Sequence, residues 1–346
     1  MVSLSTIRTS NASLRKSLPS PTALFVGGTS GIGATTLRAL ARHTESPTAY
    51  IIGRSEARAK PFLSELAGIN SRGRFHFIEA DVALVRNVDR ACEEVLRREE
   101  GQGRRLNFLF MTPGGISLGG RDETIERLDS LFALRYYSRM RFIQNLLPLL
   151  ESKSSPSVGP SRVISIYGGG FEFPINTSDL DLKHSFSLLN AYKHSITMAT
   201  LSMEHLATLH PDVSFIHAYP GLVGTNIYSN SFPAPIAALY NYAVWPLMWP
   251  FSVGVQECGE RHLFHLTSGL YPARQDGSTS TAGGEGGNVA GVAKGVDGKI
   301  GSGAYLLNWK GDVRGSAKIL EQYRKDGTRE LVWRHTEELL EQAARR

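Results

Sequence analysis

Three glycines near the start of the chain have the spacing that lets a backbone turn close around a phosphate. Gly27, Gly31 and Gly33 follow an apolar run at residues 23–26 and overlap the start of a segment with helical periodicity at residues 32–42. Glycine allows a tight turn and a close backbone approach, and the free N–H groups at a helix start stabilise the charge of a pyrophosphate. Such a turn can also need glycine for steric reasons alone, but here strand, turn and helix are in register, so the sequence predicts a dinucleotide site. The predicted contacts in this turn are Gly27, Thr29, Ser30, Gly31 and Ile32.

The end of the second apolar run carries the residues that choose between the two nicotinamide dinucleotides. A protein that binds NAD(H) needs an acidic residue about 20 positions after the glycine turn, to accept from the ribose 2′-hydroxyl. This chain has Arg54 and Ser55 there instead. Arg54 can form a charge-assisted pair with a 2′-phosphate and Ser55 can donate a further hydrogen bond, although Arg54 can also be read as a solvated residue before a helix. The sequence therefore predicts NADPH/NADP+ as the cofactor.

The glycine turn resembles that of the short-chain dehydrogenase/reductase family, and the resemblance covers roughly residues 20 to 270. Asp81 and Val82 follow the third apolar run, where that family holds the adenine ring. Residues 111–114, Met-Thr-Pro-Gly, stand where the family has Asn-Asn-Ala-Gly, so only the final glycine is kept. Residues 220–225, Pro-Gly-Leu-Val-Gly-Thr, are similar to the family segment Pro-Gly-x-Val-x-Thr that closes over the nicotinamide. The resemblance thus implies cofactor contacts from Asp81, Val82, Pro113, Gly114, Lys193, Pro220, Gly221, Val223 and Thr225.

The catalytic residues of that family are altered in this chain. Family members use a tyrosine as proton donor, a lysine four residues later that lowers its pKa, a serine that holds the substrate carbonyl and an asparagine that supports a water relay. Tyrosine and lysine at this spacing share one helix face. The register puts Lys193 in the lysine position, and Leu189, which has no proton to donate, in the tyrosine position. The serine counterpart falls on Gly168, or on Tyr167 if the register slips by one residue, and the asparagine counterpart falls on Arg135.

Two functions from different classes are compatible with this pattern. The first is an NADPH-dependent reduction of a ketone or aldehyde, with the proton supplied by Tyr167, by Tyr192 or by water polarised by Lys193 and Arg135. Tyr192 would point about 100° away from Lys193 around the helix. The second keeps the nucleotide site without net redox chemistry, as an isomerase, a cyclase or a ligand-binding protein. We predict the reductase, because Arg54 and Thr225 serve the cofactor alone and both are retained.

Alternating apolar and helical segments must position these residues. Six β-rich runs lie at residues 23–26, 49–52, 75–78, 106–110, 162–166 and 213–217, and helical segments include 32–42, 83–98, 125–150 and 191–209. Parallel strands need helical crossovers and bury both faces of their sheet. The sequence therefore predicts an α/β fold in one domain, a single Rossmann-type doubly wound parallel sheet. Residues 304–309 are expected to add a closing strand, and residues 315–346 to form a C-terminal extension of charged surface helices. His194 and His205 are expected on the surface of the helix at residues 191–209.

Residues 225–256 depart from this alternation. Residues 213–256 contain no Asp, Glu, Lys or Arg, and their second half carries Trp245 and Trp249. Four prolines would interrupt a spanning helix, and Asn241 would be stranded in lipid. We predict an apolar lid over a pocket for a hydrophobic small-molecule substrate, with contact to a membrane surface as the alternative.

The two remaining atypical segments lie at the N-terminus and before the last strand. Residues 1–20 have no acidic residue and three basic ones, so they are read as a leader helix packed on the domain, with mitochondrial import as the alternative. Residues 274–302 are rich in Gly, Ser and Ala and are expected to form a mobile surface loop.

Composition narrows the function classes. The 346 residues are 41% hydrophobic and 20% charged, as in an ordinary soluble globular protein. The net charge of +6 is spread along the chain, which disfavours a nucleic-acid partner. Cys92 and Cys258 form no Cys-x-x-Cys pair, so we predict no metal site and no disulfide, and a reducing, cytoplasmic location. The long C-terminal extension resembles family members of fungal secondary metabolism, and a homo-oligomer is left open.

Overall fold

A single parallel sheet carries the fold. The computed structural model describes residues 2–99, 105–115, 117, 119–151, 159–225, 231, 233–274, 291–315 and 317–346. Within these residues seven strands form one sheet in the order β3-β2-β1-β4-β5-β6-β7, and every neighbouring pair is parallel. The strands are β1 (Thr22–Val26), β2 (Thr48–Gly53), β3 (Arg74–Glu79), β4 (Phe108–Met111), β5 (Arg162–Ile166), β6 (Ser214–Ala218) and β7 (Ala304–Leu307). The predicted doubly wound sheet is confirmed. Its chain order reverses between β1 and β4, and the crevice at the carboxyl ends of such strands is where α/β proteins bind ligands.

Helices cover both faces of the sheet. They are α1 (Leu4–Ser17), α2 (Gly31–His43), α3 (Glu56–Ile69), α4 (Val85–Glu99), α5 (Ser130–Phe132), α6 (Ser138–Leu150), α7 (Leu188–Leu209), α8 (Ala234–Leu239), α9 (Trp245–Met248), α10 (Val255–Thr267), α11 (Ala317–Lys325) and α12 (Thr328–Ala344). Successive strand residues point to opposite faces, so Leu24 and Val26 lie in one apolar core with α4, α6, α7 and α12, while Ala23 and Phe25 lie in the other with α2 and α10. No helix in the described part of the chain is long and apolar enough to cross a membrane.

The terminal helices are integral parts of these cores. In α1 the side-chain amide of Asn11 donates to the carboxylate of Glu260 at 2.7 Å and to its carbonyl oxygen at 2.9 Å. The C-terminal helices differ from the prediction of charged surface helices, because Val332, Trp333 and Leu340 are buried against the sheet-facing core. Most of their charged residues lie on the outer face, as expected of an amphipathic helix, while Arg324 and Arg329 pair with the buried carboxylate of Glu204.

The segment predicted as one helix at residues 125–150 begins later and contains an irregular turn. Ile125 is exposed, and the carboxylate of Asp129 accepts from the backbone N–H of Phe132 at 2.8 Å, which caps α5. A π-helical turn, Ala133–Tyr137, then joins α5 to α6. Such turns are rare in proteins, and those that exist frequently lie at functional sites. This one carries Arg135.

The expected mobile loop is described only in part. Residues 275–290 lie outside the described residues. Residues 291–302 form a hydrogen-bonded turn, with an antiparallel bridge between Lys294 and Ile300 and a bond from the N–H of Ala293 to the carbonyl of Leu270 at 2.9 Å.

Candidate active site

The glycine turn between β1 and α2 forms a cradle that fits a pyrophosphate. Gly27 and Gly31 have φ angles of 81° and 54°, a region that favours glycine. A Cβ on Gly33 would lie 2.5 Å from the carbonyl oxygen of Gly27, so only glycine lets the helix approach the turn. Ser30 stands at the N-cap of α2 without a side-chain hydrogen bond to the helix. The first N–H groups of α2 therefore donate no hydrogen bond to the side chain of their own N-cap residue. They remain suited to an anionic ligand.

Two further predicted segments meet at this cradle. The hydroxyl of Thr112, after β4, donates to the carbonyl of Gly27 at 3.0 Å. The methyl group of Thr225 lies 3.2 Å from the position of a Cβ on Gly31. The structure thus brings the glycine turn, the end of β4 and residues 220–225 to one edge of the sheet, as the resemblance implies.

Residues at the end of β2 could distinguish the two dinucleotides. Arg54 is exposed and, among the described residues, has no ion pair or hydrogen bond. The hydroxyl oxygen of Ser55 caps α3 by accepting from the N–H of Arg58 at 3.3 Å. Sequence reasoning missed Glu79, which pairs with Gly53 in register and accepts from the N–H of Glu56 at 2.8 Å. A carboxylate therefore stands at the start of α3, close to where a 2′-phosphate would lie.

The segments to which the resemblance assigns the adenine and the nicotinamide each combine a buried and an exposed residue. One carboxylate oxygen of Asp81 accepts from the N–H of Ala83 at 3.1 Å, and its side chain is exposed while Val82 is buried. Pro113 is buried, whereas Gly114 is exposed and has open space where a Cβ would be. Gly221 has a φ of 75°, and a Cβ there would meet the ring of Trp309 at 2.7 Å.

Tyr167 lies at the centre of the candidate catalytic residues. The guanidinium carbon of Arg135 is 5.6 Å from the centroid of its ring, and that of Arg139 is 5.7 Å away. The ring of Tyr192 lies 5.8 Å from the same ring. The hydroxyl of Ser195 lies 3.3 Å from the Tyr167 hydroxyl and 3.1 Å from the carbonyl oxygen of Tyr192, so its single hydrogen has two acceptors.

Arg139 and Ser195 were missed by sequence reasoning. Arg139 is fully buried, and it donates to the hydroxyl of Ser165 at 2.5 Å and to the carbonyl of Ile166 at 3.0 Å, which fixes the end of β5. Burial lowers the pKa of Arg139 to about 9. A signal for Arg139 existed, since it stands four residues after Arg135 on the helix that faces the strand ends.

The surroundings of Tyr167 keep its hydroxyl protonated. Burial raises the pKa of Tyr167, while the positive charges of Arg135 and Arg139 and the bond from Ser195 oppose that rise. The balance lies above the ordinary value, so the phenol holds its proton at neutral pH. A protonated phenol beside a guanidinium can act as a general acid toward a carbonyl oxygen.

The other predicted catalytic positions behave differently from the family pattern. Leu189 is 59% exposed. A Cβ on Gly168 would lie 2.3 Å from Cδ1 of Ile196, so this position packs against α7. The ammonium of Lys193 lies 5.7 Å from the ring centroid of Phe173, another residue that the sequence did not single out. Of the four predicted catalytic residues, Arg135, Tyr167 and Tyr192 meet, while Lys193 flanks them through Phe173, whose ring is 6.2 Å from that of Tyr192.

His194 was wrongly expected on the helix surface. It is buried, and its Nε2 accepts from the N–H of Asn176 at 3.0 Å. The loop before α7 covers this face of the helix, which no helical periodicity reveals. His205 is half-buried against Trp333.

The predicted lid carries an exposed apolar surface. Leu247 is 76% and Phe251 82% exposed, and Trp249 is exposed as well. The segment packs against residues 220–225, because a Cβ on Gly224 would lie 2.7 Å from the ring of Trp245. These apolar side chains therefore begin beside the candidate site and extend into solvent.

Comparisons with known proteins bear on the family and the fold of this chain. The sequence profile of the short-chain dehydrogenases matches residues 21–166. Oxidoreductase AN1596 of Emericella nidulans is 68% identical over 346 residues, 100% of both chains. The short-chain dehydrogenase/reductase SAT2 of Stachybotrys chartarum is 34% identical and is matched over 100% of this chain and 99% of its own. Among solved structures, the NADH-dependent reductase A1-R′ responsible for alginate metabolism aligns with a TM-score of 0.52 at 20% identity, over 74% of this chain and 94% of that one, a likeness of fold.

Proposed function

This chain belongs to the short-chain dehydrogenase/reductase family, and we propose that it is an NADP(H)-dependent reductase of a ketone or aldehyde on a hydrophobic small molecule. The observation that carries the proposal is the position of Tyr167, a protonated phenol enclosed by Arg135, Tyr192 and Ser195 at the carboxyl end of β5. It stands one residue before the position where the resemblance places the substrate-holding serine.

Each residue around Tyr167 is assigned one role in the proposed reduction. A bound NADPH would supply the hydride that reduces the carbonyl carbon. Tyr167 donates its phenolic proton to the carbonyl oxygen, so the product is the alcohol. Arg135 stabilises the negative charge that develops on that oxygen, and a buried guanidinium is effective there because little water screens it. Tyr192 closes one side of the Tyr167 ring, and Lys193 is assigned to cofactor binding.

Four groups of residues are proposed to hold the dinucleotide. The glycine turn with Thr29, Ser30 and Ile32 would hold the pyrophosphate, and Asp81 with Val82 the adenine. Pro113, Gly114 and Lys193, with Pro220, Gly221, Val223 and Thr225, would enclose the nicotinamide side. Arg54 and Ser55 would bind the 2′-phosphate, and the exposed, unpaired guanidinium of Arg54 supports NADP(H). Glu79 opposes that preference by its charge, so Arg54 must outweigh it.

The exposed apolar segment supports a hydrophobic substrate. We assign residues 225–256, of which 226–230 and 232 lie outside the described residues, to a lid that closes over the substrate, since Trp245 lies against Gly224 and the adjoining side chains are apolar. The relatives from fungi support a role in secondary metabolism. The buried free cysteines Cys92 and Cys258 support a reducing, cytoplasmic location.

A binding and turnover experiment tests the proposal. The purified protein is titrated with NADPH and NADH by energy transfer from its tryptophans, and NADPH absorbance is then followed with a panel of apolar ketones. NADPH-selective binding with ketone-dependent oxidation is the expected result. Selective binding without turnover on a broad panel would favour the redox-silent alternative, for which the exposed Leu189 in the tyrosine position is the supporting observation.

A further inference from the structure

Two buried arginines share the candidate active site with no acidic partner. Arg135 and Arg139 face one ring, that of Tyr167, and the described residues give neither of them a carboxylate as hydrogen-bond or ion-pair partner. Burying a charge is costly, and buried guanidinium groups in proteins are normally paired with an acid. We propose that this pair is a binding site for an ionised carboxylate carried by the apolar substrate.

The two arginines differ in how many of their guanidinium N–H groups make hydrogen bonds. Arg139 donates to neutral oxygens of Ser165, Ile166 and Pro113, so it is a fixed positive charge with its hydrogen bonds made. Arg135 is only 9% exposed, and the hydrogen bond the structure gives it runs to the carbonyl of Gly115 at 3.0 Å. Its Nε is buried and has no hydrogen-bond partner among the residues that the structure describes. An orphaned donor on a guanidinium fork is the group that a carboxylate satisfies best.

The location of Arg135 connects this anion site to the reaction. Its π-helical turn aims the side chain at Gly115, beyond the end of β4, and at Tyr167, beyond the end of β5. A carboxylate held there would lie beside the proposed proton donor, while the remainder of the molecule met the apolar segment around Trp245. The inferred substrate class is therefore an amphiphile, an apolar skeleton with an acid group near its reactive carbonyl.

The electrostatics of the site agree with an anionic ligand. The charge of Arg135 acts with burial to lower the pKa of Arg139, because two positive groups repel each other where solvent is excluded. An anion beside the two guanidinium groups would offset both the cost of burying their charges and their mutual repulsion. The inference depends on the proposed function in one respect, namely that the residues around Tyr167 form the substrate site.

A matched pair of ligands tests the proposal without turnover. Decanoate and decanamide have the same chain, and at pH 7 only decanoate is charged. We expect the full-length protein with saturating NADPH to bind decanoate at least about tenfold more tightly than decanamide by calorimetry, as hydrogen bonds to a charged group imply. In Arg135→Gln the ratio should fall to about twofold or less, and in Arg135→Lys an intermediate preference should remain. Arg90→Gln, at an exposed position outside this site, is the control and should keep the ratio of the wild type.

The outcomes separate this inference from the proposed reductase. Equal binding of the two ligands by the wild type, or an unchanged ratio in Arg135→Gln with native circular dichroism, would overturn the anion site and leave ketone reduction untouched. If Arg135→Gln does not fold, the wild-type ratio alone decides. A tenfold preference in a protein that reduces no ketone would support the anion site while the reductase fails.

Discussion

The ring of Tyr167 lies 5.8 Å from the ring of Tyr192, at an interplanar angle of 71°. Both tyrosines are candidate proton donors, and this edge-to-face contact places them in one site. Their surroundings differ, since Tyr167 is flanked by two guanidinium groups and accepts from Ser195, whereas Tyr192 contacts Phe173. The two positive charges favour Tyr167 as the proposed donor, because they stabilise the phenolate left after transfer.

Replacing Tyr167 by Phe should abolish most of the turnover. The ring contacts remain, so we expect kcat to fall about 100-fold or more while KM changes little, as for loss of a general acid. Tyr192→Phe is the matched control and should stay within about threefold of wild type. Because the pKa of Tyr167 is raised, kcat/KM of the wild type should not decline between pH 6 and pH 8.5. Greater loss in Tyr192→Phe would transfer the donor role to that residue.

Charges near the end of β2 should set the cofactor preference. In Arg54→Ala we expect the Kd for NADPH to rise about tenfold and that for NADH to stay unchanged, since only NADPH carries the 2′-phosphate. Glu79→Gln should shift the same ratio the other way, because it removes a negative charge at the start of α3. Fluorescence titration measures both variants. Equal losses for the two nucleotides in Arg54→Ala would refute the 2′-phosphate assignment.

Lys193 should matter for the cofactor but not for its selectivity. We expect Lys193→Ala to raise the Kd for NADPH and for NADH by the same factor, because the proposed contact is on the nicotinamide side that both share. Phe173→Leu removes the ring beside the ammonium and should give a smaller effect in the same direction. Unchanged affinity in Lys193→Ala would place this lysine outside the cofactor site.

The exposed apolar segment should affect substrate binding and not stability. In the double variant Leu247→Ser and Phe251→Ser, the free energy of unfolding should change by less than about 0.5 kcal/mol, because both side chains are exposed. KM for apolar ketones should rise severalfold. Ile125→Ser, an exposed apolar residue outside the segment, is the control. If the double variant has an unchanged KM but no longer sediments together with phospholipid vesicles as the wild type does, the segment contacts a membrane surface instead.

Buried histidines should make the protein less stable in mild acid. Burial lowers the pKa of His262 to about 4 and that of His217 to about 3. In the unfolded chain each of these histidines takes up a proton below about pH 6.5, whereas in the native state it stays neutral until the pH approaches its lowered pKa. The free energy of unfolding is therefore undiminished above about pH 6.5 and decreases as the pH falls below that value.

Urea unfolding at pH 7.5 and pH 5.5 measures this loss. Each such histidine should cost about 1.4 kcal/mol per pH unit well below pH 6.5, and His262→Gln should reduce the difference between the two pH values. His184→Gln, at an exposed position, should leave it as in wild type. A His262→Gln protein with the full acid loss would exclude His262 as a cause.

Most of the sheet could be predicted because parallel strands are buried on both faces and read as short apolar runs. The glycine turn was equally legible, since its φ angles and the Gly33 contact depend on neighbours within a few residues. Helix boundaries were harder to predict. The apolar pattern starts at Ile125, but α5 begins only after Asp129, whose carboxylate caps the helix.

The sequence by itself determined the fold class and the glycine turn, and it placed Leu189 where the resemblance expects the family's tyrosine, because each rests on local residue types and spacing. Only the tertiary structure decided which tyrosine enters the site. A side chain at residue 168 would collide with Ile196 of α7, whereas Tyr167 turns toward Arg135. The roles of Arg139, Ser195 and Glu79 emerged in the same way, since they depend on contacts between residues distant in the chain, and no local pattern encodes the direction in which those side chains meet.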